Sequence, residues 1–170
     1  MSADSRDAGP SDGDPTDQSA RAIAAAEELG LAYSVTRHGR VRSLEEAAAA
    51  RGIEPRALVK TLVVRVSDGD YRFVMVPGDR EFSWPRLRTL LGVNRVSMPD
   101  AGTAKAVTGY ERGTITPLGS TTPWPVVMDV EITGPISIGG GGHGVGITVD
   151  ADALAEAVGA TRAEISEAPA

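Results

Sequence analysis

Residues 58–79 read LVKTLVVRVSDGDYRFVMVPGD. Two runs rich in β-branched and aromatic residues, 58–66 and 71–76, flank Ser67-Asp68-Gly69-Asp70, which has the composition of a hairpin turn. Each run is apolar almost without interruption, the mark of strands covered on both faces. The flanking chain must supply that cover. Upstream, Ala22, Ile23, Ala26 and Leu29 recur at helical spacing and predict a core-facing helix, capped by Asp17 or Ser19 and ended by Gly30. Residues 31–36 read as a short strand. Ser43 and Glu46 have capping-box spacing ahead of an alanine-rich helix that runs to Arg51 and stops at Gly52. Downstream, Ser83 caps a helix through Leu91 with Pro85 in its first turn. Residues 93–98 read as a strand, and Pro99 starts a short helix toward Val107. A turn-rich stretch, 109–125, precedes strands at 126–130, 135–138 and 145–149. Asp150 or Asp152 caps a helix through Val158, and a further turn is expected over 161–165. Helices and strands are interspersed without regular βαβ alternation, which predicts an α+β domain.

Composition narrows the function. The chain of 170 residues has no cysteine, which excludes a disulfide framework and a cysteine nucleophile. Two histidines, His38 and His143, leave little for a multi-histidine metal site, so no metal and no other cofactor is expected. No apolar run approaches a membrane span and no signal peptide is visible, so the expected location is the cytoplasm, away from membranes. Net charge is −6, of which five aspartates and Arg6 place −4 in the first 18 residues. Residues 1–18 are therefore read as a disordered acidic tail, and 19–170 as the folded domain. The remaining −2 over the domain argues against a broad electrostatic grip on nucleic acid.

Three places could carry chemistry. Lys60 interrupts the first apolar run, in a chain with 15 Arg and only two Lys. A lysine in a covered strand must reach water, find an acid or lose its proton. The competing reading is an edge-strand residue whose charge blocks aggregation. The second place is residues 109–119, GYERGTITPLG, a loop able to present backbone N–H groups to a ligand. The third is residues 139–146, GGGGHGVG, where backbone can approach a ligand closely. It lacks the Gly-Lys-Ser/Thr of a phosphate loop and the helix that follows a dinucleotide fingerprint. For both loops the alternative is an ordinary surface connection, and His143 alone reads as a solvent-facing loop residue.

These segments together resemble the YbaK/prolyl-tRNA synthetase editing-domain family. The likeness starts at Val59-Lys60-Thr61-Leu62-Val63 and passes through Phe73-Val74-Met75-Val76-Pro77-Gly78-Asp79-Arg80 and Thr108-Gly109-Tyr110. It continues over Thr116-Pro117-Leu118-Gly119, the glycine-rich segment and Asp152-Ala153-Leu154, in order over about residues 19–165. The resemblance implies a mixed, partly barrel-like sheet surrounded by helices. It also implies a metal-independent aminoacyl-tRNA deacylase that hydrolyses the ester of a mischarged tRNA in trans. The carrier would be tRNA for proline, bearing Cys, Ala, Ser or another small residue. The implied partners are the 3′ end of aminoacyl-tRNA and a synthetase, that for proline foremost.

The family's essential lysine falls on Lys60, and its Gly-x-x-x-Pro loop on Gly113, Thr114, Ile115, Thr116 and Pro117. In the implied scheme Lys60 holds terminal phosphate or ribose oxygens and orients the ester. The 113–117 backbone holds the aminoacyl group and its developing oxyanion. Gly140, Gly141 and His143 complete the binding residues. The chain departs from the family pattern at Gly139, where a serine is common, at His143 in place of another basic residue, and at Gly146 in place of a polar one. Two other readings compete: a non-catalytic module that binds aminoacyl-tRNA or a synthetase, and a hydrolase of small esters.

Overall fold

The computed structural model describes residues 17–169. The acidic tail expected over 1–18 lies outside the described residues except for its last two. Asp17 Oδ1 accepts from the Ser19 N–H at 2.8 Å, and the Gln18 N–H donates to the Gly141 carbonyl at 2.9 Å. Helix α1 (Ser19–Glu28) follows and buries Ala22 and Ala26; Leu29, expected to face the core, is 45% exposed beyond its last turn. Strand β1 (Ser34–Arg37) leads to α2 (Leu44–Ala50), where Ser43 accepts from the Glu46 N–H. The Glu46 side chain closes back on the Arg42 N–H at 2.8 Å.

The hairpin forms as β2 (Val59–Ser67) and β3 (Asp70–Pro77), antiparallel, with Lys60 opposite Val76. Parallel strands β5 (Val126–Asp129) and β8 (Thr161–Ala163) extend it into a four-stranded sheet, β2-β3-β5-β8; β4 (Glu81–Phe82) lies between in sequence. A three-stranded antiparallel sheet combines β1 with β6 (Pro135–Gly139) and β7 (Val145–Asp150) in the order β1-β7-β6. Strand β9 (Ser166–Glu167) pairs with β4. The two larger sheets are joined by a parallel bridge, Leu58 to Ser137, and do not close into a barrel among the described residues. Helices α3 (Trp84–Leu91), α4 (Ala101–Thr108) and α5 (Ala151–Val158) complete the α+β domain.

Strand periodicity sorts the core in two. Val59, Val63, Tyr71, Phe73, Met75, Val126 and Met128 enter a cluster shared with Ile136, Ile138, Ile147 and Leu154. Val64, Val74, Val76 and Val127 point the other way, against Leu87 of α3 and Ile165. The central strands are thus covered on both faces, and each fully buried large side chain contributes about 1.5–3 kcal/mol.

Two elements differ from expectation. Residues 93–98 form no strand; only Ser97 pairs, exchanging both backbone hydrogen bonds with Arg65 at 2.8 and 3.0 Å. The stretch 161–165 is not a helical turn but β8 and its exit. That exit is fixed by Asp129, whose buried carboxylate accepts from the Glu131 N–H at 2.8 Å and the Ile165 N–H at 2.9 Å. Asp129→Ala would leave the buried Ile165 N–H without an acceptor. It is expected to cost about 2–3 kcal/mol and to lower Tm by roughly 5–10 °C. Thermal unfolding checks this, and an unchanged Tm would mean that β8 is held without it.

Candidate active site

Strand β2 is an edge strand, and its outer edge is free only in the middle. Leu58 bridges to Ser137 at one end and Arg65 to Ser97 at the other. Between them residues 58–63 form one wall of a cavity of about 350 Å³. Met98, Ala104 and Ile115 make it apolar, and Gly113 and Gly139 bring backbone to its surface. Its charged lining is Arg51, Lys60 and Arg112, with no carboxylate. The cavity accordingly suits a ligand that is partly apolar and carries electron-rich oxygens.

Val63 and Val64 of this strand are covered on opposite faces, but Lys60, near the start of the edge strand, is exposed and its ammonium reaches water. Its Nζ donates to the Arg80 carbonyl at 3.1 Å. Arg80 is itself clamped by Ser166, through Nε to Oγ at 2.7 Å and Nη2 to the carbonyl at 3.2 Å. One of the three ammonium donors is thereby engaged and the others remain for a ligand.

The loop opposite is closed at its base. Tyr110 is buried, and its hydroxyl donates to the Leu118 carbonyl at 2.7 Å. Burial pushes the Tyr110 pKa up to about 12, so the phenol stays a neutral donor. Within the loop Thr114 turns inward, its N–H and Oγ1 both donating to the Glu111 carbonyl. Thr116 is buried and accepts from the Leu118 N–H at 3.2 Å, while Pro117 is half-buried. The N–H groups of Gly113, Ile115 and Thr116 have no acceptor among the described residues. Gly113 and Ile115 line the cavity with Lys60; Thr114, Thr116 and Pro117 do not.

The glycine-rich segment is a pinned hairpin rather than a loose one. The Gly140 N–H donates to the Val145 carbonyl at 3.0 Å, and the Gly141 N–H to the Thr114 carbonyl at 3.0 Å. The Gly144 carbonyl accepts from the His38 N–H at 2.9 Å. Gly140 and Gly141 are buried; the Gly140 N–H closes the hairpin on itself, and the Gly141 N–H holds it to the 113–117 loop. His143 is exposed, 3.3 Å from Glu111 Oε1. It lines a neighbouring depression with His38, Arg40 and Gly142, which Arg51 and Gly113 also border.

Two groups in the cavity were not singled out by sequence. Thr61 Oγ1 is buried without a hydrogen-bond partner among the described residues. Its signal was one of position only, the residue after Lys60. Arg51, at the end of α2, is half-buried; its Nη1 donates to Ser137 Oγ at 3.1 Å and its Nε to His38 Nε2 at 3.2 Å. Burial holds the Arg51 pKa below its ordinary value. Nothing local marked it among 15 arginines. The described residues bring no three metal-ligating side chains together, and none of their helices is long and apolar enough to cross a membrane.

Residues 38–164 match the family of the aminoacyl-tRNA editing domain. Proline–tRNA ligases of Desulfovibrio desulfuricans and Geobacter sulfurreducens are 38% and 37% identical over 92 and 93 residues, or 54% and 55% of this chain. The matched segment spans only 16% of either ligase. A solved structure described as a candidate trans-editing enzyme for prolyl tRNA synthetase superposes with a TM-score of 0.79 at 25% identity. That match covers 88% of this chain and 98% of the other. A hypothetical protein of known crystal structure gives a TM-score of 0.79 at 27% identity, over 86% and 99% of the two chains.

Proposed function

The chain belongs to the aminoacyl-tRNA editing domain family, and we propose that it is a deacylase that clears mischarged tRNA in trans. The observation that carries this reading is the shared cavity of Lys60, Gly113 and Ile115 at the free edge of β2. An ester of an amino acid with the terminal ribose fits that cavity chemically. Its aminoacyl end meets an apolar wall, and its oxygens meet cations and free N–H groups.

Water adds to the ester carbonyl carbon, and charge builds on the carbonyl oxygen. The N–H groups of Gly113 and Ile115 are the donors available to it in the cavity, and Lys60 holds ribose or phosphate oxygens at the exposed rim. The carbon–oxygen bond to the ribose then breaks and the ribose oxygen takes a proton, leaving free amino acid and uncharged tRNA. No side-chain nucleophile takes part. The likeness to proline–tRNA ligases and to the trans-editing neighbour supports tRNA for proline as the carrier. The same likeness supports the synthetase as partner; the proposed cargo is a small residue such as Cys, Ala or Ser, and the proposed location the cytoplasm.

The test is deacylation of tRNA for proline charged with Cys, Ala or Ser, with Pro as control. Rapid loss of a mischarged species and survival of the Pro ester is the expected result. Binding of these species without hydrolysis would instead identify a non-catalytic module. Hydrolysis rather than mere binding is supported by Gly113 and Ile115, two cavity-lining residues whose N–H groups have no acceptor among the described residues.

A further inference from the structure

Arg51 is a half-buried cation in the wall of the cavity, and its environment is incomplete. Two donor groups are engaged, by the neutral acceptors Ser137 Oγ and His38 Nε2. His38 Nδ1 lies 2.9 Å from the Gly39 carbonyl, which sets the proton on Nδ1 and leaves Nε2 to accept. No carboxylate pairs with Arg51 among the described residues. Nη2 has no acceptor there either. A guanidinium taken out of water without a counter-charge is costly, and the cost falls when an anion or an acceptor oxygen arrives.

Its place is prepared by the fold. A Cβ at Gly146 would lie 2.8 Å from Arg51 Nε and 2.9 Å from Cδ and Cζ, so the side chain occupies space that only glycine leaves open. Ser137, its partner, is fully buried. Lys60 and Arg112, by contrast, are exposed. A polynucleotide is too bulky and too charged to leave the surface, so its phosphates meet the exposed pair. What reaches Arg51 is the small group attached to the ribose.

Resting on the deacylase reading, we infer that Arg51 is a specificity-determining residue that selects aminoacyl side chains ending in an acceptor oxygen, carboxylate ahead of hydroxyl. A planar guanidinium grips a carboxylate with two parallel hydrogen bonds. The absence of acids from the cavity wall leaves such a side chain unrepelled, while Lys and Arg side chains meet three cations. Purely apolar side chains leave the remaining Arg51 donors buried beside carbon, so among the small cargoes considered above Ser ranks ahead of Ala.

The probes are 3′-aminoacylamino-3′-deoxyadenosines, stable amide counterparts of the aminoacyl end, in the pairs aspartyl and leucyl, and seryl and alanyl. Wild type is expected to bind the aspartyl compound at least about tenfold more tightly than the leucyl, and the seryl more tightly than the alanyl. Arg51→Leu should reverse the first preference, and Arg51→Lys should keep part of it. Gly146→Ala, which pushes the guanidinium aside without removing its charge, should weaken aspartyl binding selectively and covers the case in which Arg51→Leu fails to fold. Equal affinity of wild type for the members of a pair, no affinity for either, or a uniform loss in Arg51→Leu overturns the assignment. Hydrolysis of the corresponding tRNA esters is measured separately. Side-chain selectivity without ester cleavage rejects the deacylase reading and keeps the specificity role.

Discussion

Lys60→Ala is expected to lower deacylation by about 10²–10³-fold while leaving the protein folded. The two effects separate because of where the lysine sits. Its Cα is held in β2 opposite Val76, but its side chain is exposed and its one hydrogen bond among the described residues is to the Arg80 carbonyl. Removing an exposed side chain of this kind changes stability by no more than about 0.5 kcal/mol. Removing the ammonium from the rim leaves the incoming ribose and phosphate oxygens without their nearest cation. Lys60→Arg tests what the charge must look like. Its planar fork keeps the charge but not the compact, rotatable donors, so partial activity is expected. Single-turnover deacylation of mischarged tRNA, read beside thermal unfolding of each variant, is the measurement. An Ala variant that turns over at the wild-type rate would remove Lys60 from the mechanism.

How far the sequence reached depended on whether a feature was local. The β2–β3 hairpin was legible because two nearly unbroken apolar runs and a four-residue turn between them agree within residues 58–77. The helix starts at Ser43, Ser83 and Asp150 were legible because each side chain accepts an N–H three residues along. The stretch 93–98 misled because Val93 and Val96 have strand character, yet only Ser97 meets β2. The stretch 161–165 misled because its partner, β5, lies more than 30 residues earlier and adds it to the sheet in parallel. The site divides the same way. Lys60 stood out against its apolar neighbours, and the 109–119 loop by its glycines, proline and threonines, with 113–117 marked out within it only by the family resemblance. Arg51 did not, since its meaning comes from Ser137, 86 residues away, and from the space at Gly146. Nor could sequence show that Gly140 and Gly141 use their N–H groups on protein carbonyls.

Gly139→Ser is expected to reduce deacylation by at least about tenfold, although the family pattern that the sequence resembles would put a serine there. A polar side chain at the head of the loop could be expected to add a contact with the aminoacyl group. The geometry here opposes it. A Cβ at Gly139 would lie 2.7 Å from the Ile115 carbonyl oxygen and 3.3 Å from that of Thr114. Those atoms are backbone, not the yielding tip of a side chain, so the 113–117 loop itself must move. The Thr114 carbonyl is also the acceptor for the Gly141 N–H, and shifting it loosens the clasp between the two loops. Overpacking of this kind costs about 1–3 kcal/mol, and the displaced atoms adjoin the N–H groups proposed to meet the oxyanion. Misplacing such donors by about 1 Å is enough for a large rate loss. Gly139→Ala separates the two contributions, because it brings the same Cβ without the hydroxyl. Equal losses in the Ala and Ser variants would assign the effect to the collision. A Ser variant faster than wild type would mean that the loop gives way and that this position takes part in substrate contact after all.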